Sequence, residues 1–166
     1  MFCIDAIKQN DLLKIAGLLD QAFGNDRLNK AAYRLREGVA ALPELSFVIR
    51  KGDMLQASLQ FWPILIKDGD HKIEAILLGP IAVRADCRGL GIGLKLMTYG
   101  LNKAKELGHQ RVILVGDEAY YNKVGFTRDL AMGLDMPGCA DKARLLAQEL
   151  VPGSLKGVTG VISKIK

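Results

Sequence analysis

The spacing of apolar residues divides the chain into helices and strands. Apolar side chains recur at helical intervals over residues 12–23 and 94–107, with polar residues on the opposite face. Start and stop residues predict further helices over residues 30–39, 118–123 and 141–150. Shorter alternating or β-branched runs predict strands over residues 2–7, 45–50, 54–67, 71–83, 111–115, 133–136 and 158–165.

The connections between these segments predict a mixed sheet. Gly52 and Gly69 each lie in a short Gly/Asp turn, so the three strands that they join are expected to form an antiparallel meander. The strand over residues 111–115 follows a helix, which places it parallel to the strand before that helix. We therefore predict an α/β (α+β) fold with about seven strands and flanking helices. A single domain is expected over residues 1–166, with a core over 1–137 and a C-terminal helix and strand over 138–166.

Composition and charge narrow the class of protein. Hydrophobic residues make up 49% of the chain and charged residues 25%, which is typical of a globular protein with a buried core. The net charge of +5 is spread along the chain without a polybasic run, so it favours anionic ligands but not nucleic acid. Three separated cysteines and two histidines predict neither a disulfide framework nor a metal site, and reduced thiols are typical of the cytoplasm. We expect no signal peptide and no membrane span, since no apolar run approaches about 20 residues.

Residues 88–93, with the sequence Arg-Gly-Leu-Gly-Ile-Gly, lie between a predicted strand and a predicted helix. Glycines allow a tight turn and close approach of a ligand, and the unpaired amides at a helix start bind phosphate. A P-loop is excluded because no Gly-Lys-Ser/Thr follows the glycines, and a dinucleotide fingerprint would need glycine where Leu94 stands. The remaining alternative is the loop pattern Arg/Gln-x-x-Gly-x-Gly/Ala.

That pattern resembles the GNAT superfamily of acetyl-coenzyme A-dependent N-acetyltransferases, and further segments agree with it. Residues 78–83 are similar to the family's fourth strand, and residues 120–126, Tyr-Tyr-Asn-Lys-Val-Gly-Phe, to its Tyr-x-x-x-Gly-Phe element. Residues 115–121 and the tail at 149–157 are similar to the YhbS-like branch. The resemblance covers roughly residues 1–137 and implies the GNAT fold, in which a bulge splays the fourth strand from the fifth, and acetyl-CoA as cosubstrate.

The resemblance also implies where acetyl-CoA would bind. The loop amides would hold the pyrophosphate, the end of the fourth strand would pair with the pantetheine arm, and a lysine, Lys123 or Lys95, would meet the 3′-phosphate or the adenine. The cofactor-binding residues expected on this basis are Ile81, Ala82, Val83, Arg88, Gly89, Leu90, Gly91, Ile92, Gly93, Leu94 and Lys123.

Tyr121 is the catalytic residue that the resemblance implies. It would protonate the departing thiolate of CoA, because the pKa of a phenol, about 10, lies near that of an alkyl thiol. Its neighbour Tyr120 is expected to pack in the core. The backbone amide at Val83 or nearby would polarise the reacting carbonyl.

No general base can be assigned from the sequence. Some members of the superfamily carry a glutamate on the fourth strand, and Leu77 stands at that position here. Proton removal through water therefore stays open. The other acidic or basic candidates are more typical of caps, surface charges or hairpin residues: Asp117, Glu118, Glu74 and His71.

The acceptor implied by the resemblance is a primary amine, on a small molecule or a peptide, that attacks the thioester directly in a ternary complex. Phe23, Arg27, Trp62 and Cys139 are candidates for its pocket, but core packing is the favoured role of Phe23 and an inert surface thiol that of Cys139. Two other functions stay open: a coenzyme A-binding sensor without turnover, and an acetyltransferase for a macromolecule such as aminoacyl-tRNA. A homodimer through the C-terminal strand is also an expectation.

Overall fold

The computed structural model describes residues 3–24 and 31–165 of the chain. Eight strands form one open sheet. They are β1 (Cys3–Ala6), β2 (Ser46–Lys51), β3 (Met54–Asp68), β4 (His71–Val83), β5 (Arg111–Val115), β6 (Leu134–Asp135), β7 (Leu145–Glu149) and β8 (Gly160–Ser163). The helices are α1 (Leu12–Phe23), α2 (Ala31–Arg34), α3 (Ile92–Glu106) and α4 (Glu118–Tyr121).

The sheet has the predicted mixed topology. Its strand order is β1-β2-β3-β4-β5-β7, and β8 pairs with the far half of β3 and with β6. Strands β1 to β4 form an antiparallel meander, β4 and β5 are parallel, and β5 and β7 are antiparallel. The prediction of an antiparallel meander followed by a splayed parallel pair is therefore confirmed. The C-terminal strand, expected to be available to another chain, pairs within its own chain.

Helix α3 packs on one face of the sheet. Gly100 makes the close approach possible, since a Cβ atom there would lie 2.8 Å from Cε1 of Phe61. Burying a large apolar side chain contributes about 1.5–3 kcal/mol, so the apolar face of α3 holds the helix against the sheet. The fully or nearly fully buried residues on the two sides of the contact include Ile92, Leu96, Met97, Leu101 and Ala104 of α3 and Phe47, Leu59 and Phe61 of the sheet.

Helix α1 covers the opposite face, where it packs on Val48 and Ala82. Beside it, a network of charges joins the first strands to the helix start. Arg50 donates two hydrogen bonds of 2.6 Å to the carboxylate of Asp11, which is 1% exposed, and a third of 3.3 Å to Asp5. The guanidinium lowers the pKa of Asp11 to about 2, with help from the hydrogen bond that the Lys8 amide donates.

The helix predicted over residues 141–150 is wrong. Residues 142–144 form a short 3₁₀ turn, and the Asp141 side chain accepts a hydrogen bond from the amide of Ala143. The chain then forms strand β7, which pairs with β5 from Val115–Leu145 to Arg111–Glu149. Leucine, alanine, glutamine and glutamate favour helices locally, but the unpaired edge of β5 offers a full ladder of hydrogen bonds, and this tertiary context overrides the propensity.

The other differences are in length. Of the helix predicted over residues 30–39, residue 30 lies outside the described residues, and only Ala31–Arg34 are helical before turns begin. Residue 2, the first of the predicted N-terminal strand, also lies outside them. The strands predicted over 133–136 and 158–165 are present as the shorter β6 and β8.

Candidate active site

A gap opens between β4 and β5 at the centre of the sheet. The two strands pair only at Ile76–Val112 and Leu77–Ile113. Beyond that point β4 carries a bulge, because Leu78 lies opposite Phe61 whereas Ile81 lies opposite Leu59, so β4 has one extra residue. The bulge that the sequence predicted at this place is therefore present.

Trp62 holds this bulge. Its indole Nε1–H donates a hydrogen bond of 2.6 Å to the carbonyl oxygen of Gly79. Trp62, a candidate for the acceptor pocket, is not among the residues that line the cavity, but it lies opposite Leu77 of the cavity floor in the β3–β4 register. The guanidinium carbon of Arg36, a residue that does line the cavity, lies 5.8 Å from the ring centre of Trp62.

The end of β4 presents backbone groups to the gap. The amide of Arg84 donates to the carbonyl of Gln56 at 2.8 Å, on the side of β3. Successive amides of a strand point to alternate sides, so those of Val83 and Ile81 point away from β3, toward the gap. The Val83 carbonyl points the same way, and it accepts a hydrogen bond of 3.4 Å from Nε of Arg88.

The glycine loop leads from this strand end into α3. Gly89 and Gly91 have φ angles of 82° and 75°, in the region that only glycine adopts at little cost, and Gly91 is the N-cap of α3. The first amides of a helix lack partners inside it and carry partial positive charge. Among the described residues, no backbone hydrogen bond outside regular helices and strands uses the amides of residues 89–94. The loop therefore offers a row of donors to an anion.

The first turn of α3, the end of β4 and Tyr120 come together at Gly93. A Cβ atom on Gly93 would lie 3.0 Å from the Tyr120 hydroxyl and 3.4 Å from Cγ2 of Val83. Glycine at this position leaves room beside the loop amides. Lys123 lies near the same place, with its ammonium nitrogen 5.7 Å from the ring centre of Tyr120.

Tyr121 forms the opposite wall of the gap. Its ring lies against Gly116, where a Cβ atom would collide with the ring edge, and edge-on to Phe126 at 6.5 Å between ring centres. Burial raises the pKa of Tyr121, the charges of Tyr120 and Asp117 raise it further, and the Arg144 guanidinium opposes them. The phenol is therefore protonated at neutral pH.

The two tyrosines lie in different environments, and that of Tyr120 is not the expected one. Tyr121 packs against the core beneath α3, whereas Tyr120 is 39% exposed. Their rings meet edge to face at 5.0 Å. Tyr120, expected as a packing residue, instead places its hydroxyl beside the glycine loop.

The gap is the mouth of a cavity of about 510 Å³. Its floor is apolar, and its charged side chains come from outside the central strands. Phe23 and Cys139 line it, although the sequence favoured core packing for Phe23 and a surface thiol for Cys139. Arg27 lies outside the described residues. The wall is formed by Phe23, Ala32, Arg36, Leu77, Leu78, Gly79, Pro80, Ile81, Leu114, Val115, Gly116, Tyr121, Gly138, Cys139, Ala140, Asp141 and Arg144.

Sequence reasoning missed the charged residues of this wall: Arg36, Asp141 and Arg144. Arg144 pairs with Asp117 at 3.0 Å, so the Asp117 carboxylate binds an arginine in place of the amides of α4. Asp141 follows a Pro-Gly loop, and that loop is the sequence signal that could have identified it. The helix predicted from residue 141 onward hid this signal.

The other candidates for a base have different roles. Glu118 accepts a hydrogen bond of 2.7 Å from the amide of Arg128. His71 and Glu74 lie at the distal hairpin end of β4, away from the bulge. Leu77 is 1% exposed within the sheet. Within residues 3–24 and 31–165, no group of three or more His, Cys, Asp or Glu residues is placed to hold a metal ion, and no helix is long and apolar enough to cross a membrane.

The comparison with known families decides the class of this fold. The model of the family described as "Acetyltransferase (GNAT) domain" matches residues 4–128. The chain belongs to this family. This GNAT protein is 28% identical over 152 residues to the uncharacterized N-acetyltransferase YhbS of Escherichia coli strain K12, covering 89% of this chain and 87% of YhbS.

Solved structures have the same architecture. The crystal structure of E. coli YhbS in complex with CoA superposes with a TM-score of 0.80 at 26% identity, covering 98% of this chain and 89% of that one. A GNAT acetyltransferase from Brucella melitensis in complex with acetyl-CoA shares the fold, with a TM-score of 0.73 at 22% identity over 98% and 95% of the two chains. So does the ribosomal-protein-S18-alanine N-acetyltransferase of E. coli, with a TM-score of 0.61 at 18% identity over 90% and 94%. The expected GNAT fold, acyltransferase class and acetyl-CoA cosubstrate are thereby confirmed for the family.

Proposed function

We propose that this GNAT protein transfers the acetyl group of acetyl-CoA to a primary amine by direct attack in a ternary complex. The observation that carries the proposal is the arrangement of three features around one gap: the loop amides of residues 89–94, the open edge of β4 and the partly buried phenol of Tyr121. Acetyl-CoA, when bound, supplies a thioester that an amine converts to an amide with release of the thiol.

The glycine loop fits a pyrophosphate. Its amides would bind the phosphate oxygens, with Arg88 and Lys123 adding positive charge nearby. The outward amides of Ile81 and Val83 would pair with the pantetheine arm as an added strand, and the Val83 amide would polarise the carbonyl. These donors are fixed by the sheet and by α3 before any ligand binds, so little ordering is needed on binding.

Tyr121 would donate a proton to the departing sulfur. A general acid must hold its proton at the working pH, and burial of Tyr121 keeps its pKa above the ordinary value for a phenol. Leu77 stands where some members of the superfamily carry a glutamate, so we propose that the attacking ammonium loses its proton through water, as the sequence left open.

Substituting Tyr121 with phenylalanine tests the assignment. We expect Tyr121→Phe to lower kcat about 100-fold or more, because general acid catalysis contributes that much. The dissociation constant of acetyl-CoA, measured by calorimetry, should change less than about twofold, since the hydroxyl acts only in the chemical step.

Two other tyrosines make the experiment specific. Tyr99 is 43% exposed on α3 and packs edge-on against Phe47, so Tyr99→Phe is the control and should keep full activity. Loss of turnover in Tyr120→Phe with normal turnover in Tyr121→Phe would move the acid to Tyr120. Normal turnover in both variants would remove a phenol from the mechanism.

A further inference from the structure

The short helix that carries Tyr121 lacks buried residues of its own. Helix α4 is a single turn, and no side chain in it is fully buried. The carbonyl of Asp117, the residue before the turn, accepts hydrogen bonds of 3.1 and 3.0 Å from the amides of Tyr120 and Tyr121. Among the described residues, the Asp117 side chain binds none of these amides. The position of the phenol therefore depends on what anchors Gly116 and Asp117.

Arg144 anchors both of these residues. Its carbonyl oxygen accepts a hydrogen bond of 2.9 Å from the amide of Gly116, and its guanidinium donates one of 3.0 Å to the carboxylate of Asp117. Gly116 lies directly against the ring of Tyr121, where a Cβ atom would collide with the ring. One arginine, in the turn that precedes β7, thus ties the start of α4 to the edge of the sheet.

The side chain of Arg144 is also a charge beside the phenol. Arg144 and Tyr121 line the same cavity. Burial raises the pKa of Tyr121 most, the charges of Tyr120 and Asp117 act on it as well, and the Arg144 guanidinium lowers it. Phe126 and the apolar cluster beneath α3 complete the surroundings of the ring. The other titratable side chains of the cavity wall are Arg36, Cys139 and Asp141.

We propose that Arg144 is a positioning residue for the reaction, which holds the Tyr121 phenol at the gap and favours the release of its proton to the sulfur of CoA. This inference rests on the proposed role of Tyr121 as the acid. In that step the O–H bond of the phenol breaks and an S–H bond forms on the departing thiol, which leaves a phenolate. A cation beside a partly buried phenolate offsets its charge until it regains, through water, the proton that the acceptor nitrogen loses.

Two variants remove the two ends of the ion pair. Arg144→Gln removes the cation, whereas Asp117→Asn removes the anion and keeps the cation, so a purely structural tie would give equal effects. An exposed ion pair holds a conformation by a factor of about two to five, and bound ligands that exclude water strengthen it. We expect kcat to fall about three- to tenfold in Arg144→Gln and less than about threefold in Asp117→Asn. The dissociation constant of acetyl-CoA should stay within about twofold in both.

The pKa of Tyr121 gives a second readout, which does not depend on turnover. It is measured by NMR on protein with an isotope label at the ζ carbon of tyrosine, and the spectrum of Tyr121→Phe assigns the signal. The pKa should rise in Arg144→Gln and fall in Asp117→Asn, because a cation favours the phenolate and an anion opposes it. In the double variant the two shifts oppose each other, while kcat stays as low as in Arg144→Gln.

Nearby charged residues serve as matched controls. Lys142 lies in the same turn as Arg144, is exposed and is not part of the cavity wall. Asp129 is an exposed acid in the turn over residues 129–131 and also lies outside the wall. Lys142→Gln and Asp129→Asn should therefore keep the kcat of the wild type and the pKa of its Tyr121. Arg144→Lys, which keeps the charge but not the planar head group, should lie between the wild type and Arg144→Gln.

An ion pair this exposed adds little to stability, so both single variants should fold, which circular dichroism checks. Should Arg144→Gln fail to fold, Arg144→Met takes its place in the comparison. An unchanged kcat without the arginine side chain, equal losses of kcat in the two single variants, or pKa shifts of Tyr121 in the same direction would each overturn the role of Arg144 while leaving acetyl transfer intact. Normal turnover in Tyr121→Phe, or no thiol release with any amine, would overturn the proposed function, and this inference with it.

Discussion

Adding one methyl group at Gly93 should separate ligand binding from folding. The residue lies in the first turn of α3 without a positive φ angle, so alanine fits its backbone. Alanine is favoured over glycine in helices by up to about 1 kcal/mol. The new Cβ would lie 3.0 Å from the Tyr120 hydroxyl and 3.4 Å from Val83, which is tight, but Tyr120 is partly exposed and can move. We therefore expect the stability of Gly93→Ala to stay within about 1 kcal/mol of the wild type.

The effect on acetyl-CoA binding should be larger. The methyl group stands in the angle between the loop amides and the end of β4, where the pyrophosphate and the pantetheine arm would join. Overpacking by a methyl group costs about 1–3 kcal/mol, which corresponds to a dissociation constant raised about 5- to 150-fold. The assay is calorimetric titration with acetyl-CoA, accompanied by urea unfolding of the same samples.

Two variants make the result specific to this place. Gly17 lies in α1 with no atom within 4 Å of its Cβ position, so Gly17→Ala should stabilise the protein and leave acetyl-CoA binding unchanged. Removing the hydroxyl in Gly93→Ala/Tyr120→Phe should recover part of the affinity. The reasoning is refuted if Gly93→Ala binds acetyl-CoA as tightly as Gly17→Ala does.

Two further predictions concern the support of the site and of the fold. Trp62→Phe removes the donor to the Gly79 carbonyl but keeps an aromatic ring, so the free energy of unfolding should fall by about 1 kcal/mol. The KM for the acceptor should rise while the affinity for acetyl-CoA is retained. Unchanged thermal unfolding and unchanged kinetics would contradict the role of the indole. Arg50 lowers the pKa of Asp11 to about 2. The Asp11 carboxylate therefore stabilises the fold at pH values above its pKa in the unfolded chain, near 4, and this stabilisation is lost as the pH falls toward 2. The free energy of unfolding of Asp11→Asn should therefore be lower than that of the wild type by on the order of 1–2 kcal/mol at pH 7. Urea unfolding should show this difference between variant and wild type shrinking between about pH 4 and pH 2. A difference that is constant with pH would exclude the ion pair as its source.

The parts of the fold that depend on local signals could be predicted from the sequence. The glycine turns predicted the meander, and the apolar face over residues 94–107 predicted α3, which begins two residues earlier, at Ile92. The strand β7 could not be predicted, because its residues prefer a helix and only the free edge of β5 makes them a strand. Sequence alone carries the local preference, whereas the edge exists only after the sheet has formed.

The residues of the candidate site divide in the same way, into those that a local motif predicts and those that only the folded sheet brings together. The loop and Tyr121 could be predicted because each belongs to a compact motif with fixed spacing. Arg36 and Asp141 are more than a hundred positions apart in the chain and share a wall only through the sheet between them. The hydrogen bond from Trp62 to Gly79 likewise depends on the register of β3 and β4, which brings the indole within reach of the bulge.

The central claim is that this GNAT protein moves an acetyl group from acetyl-CoA to an amine. Its most direct test measures two products in one reaction, the free CoA thiol by a colorimetric reagent and the acetylated amine by mass spectrometry, with a panel of primary amines as acceptors. The account predicts that both products form in equal amounts, that they depend on the amine, and that Tyr121→Phe slows both alike. Thiol release without an acetylated amine, or acetyl-CoA binding with neither product, would contradict it.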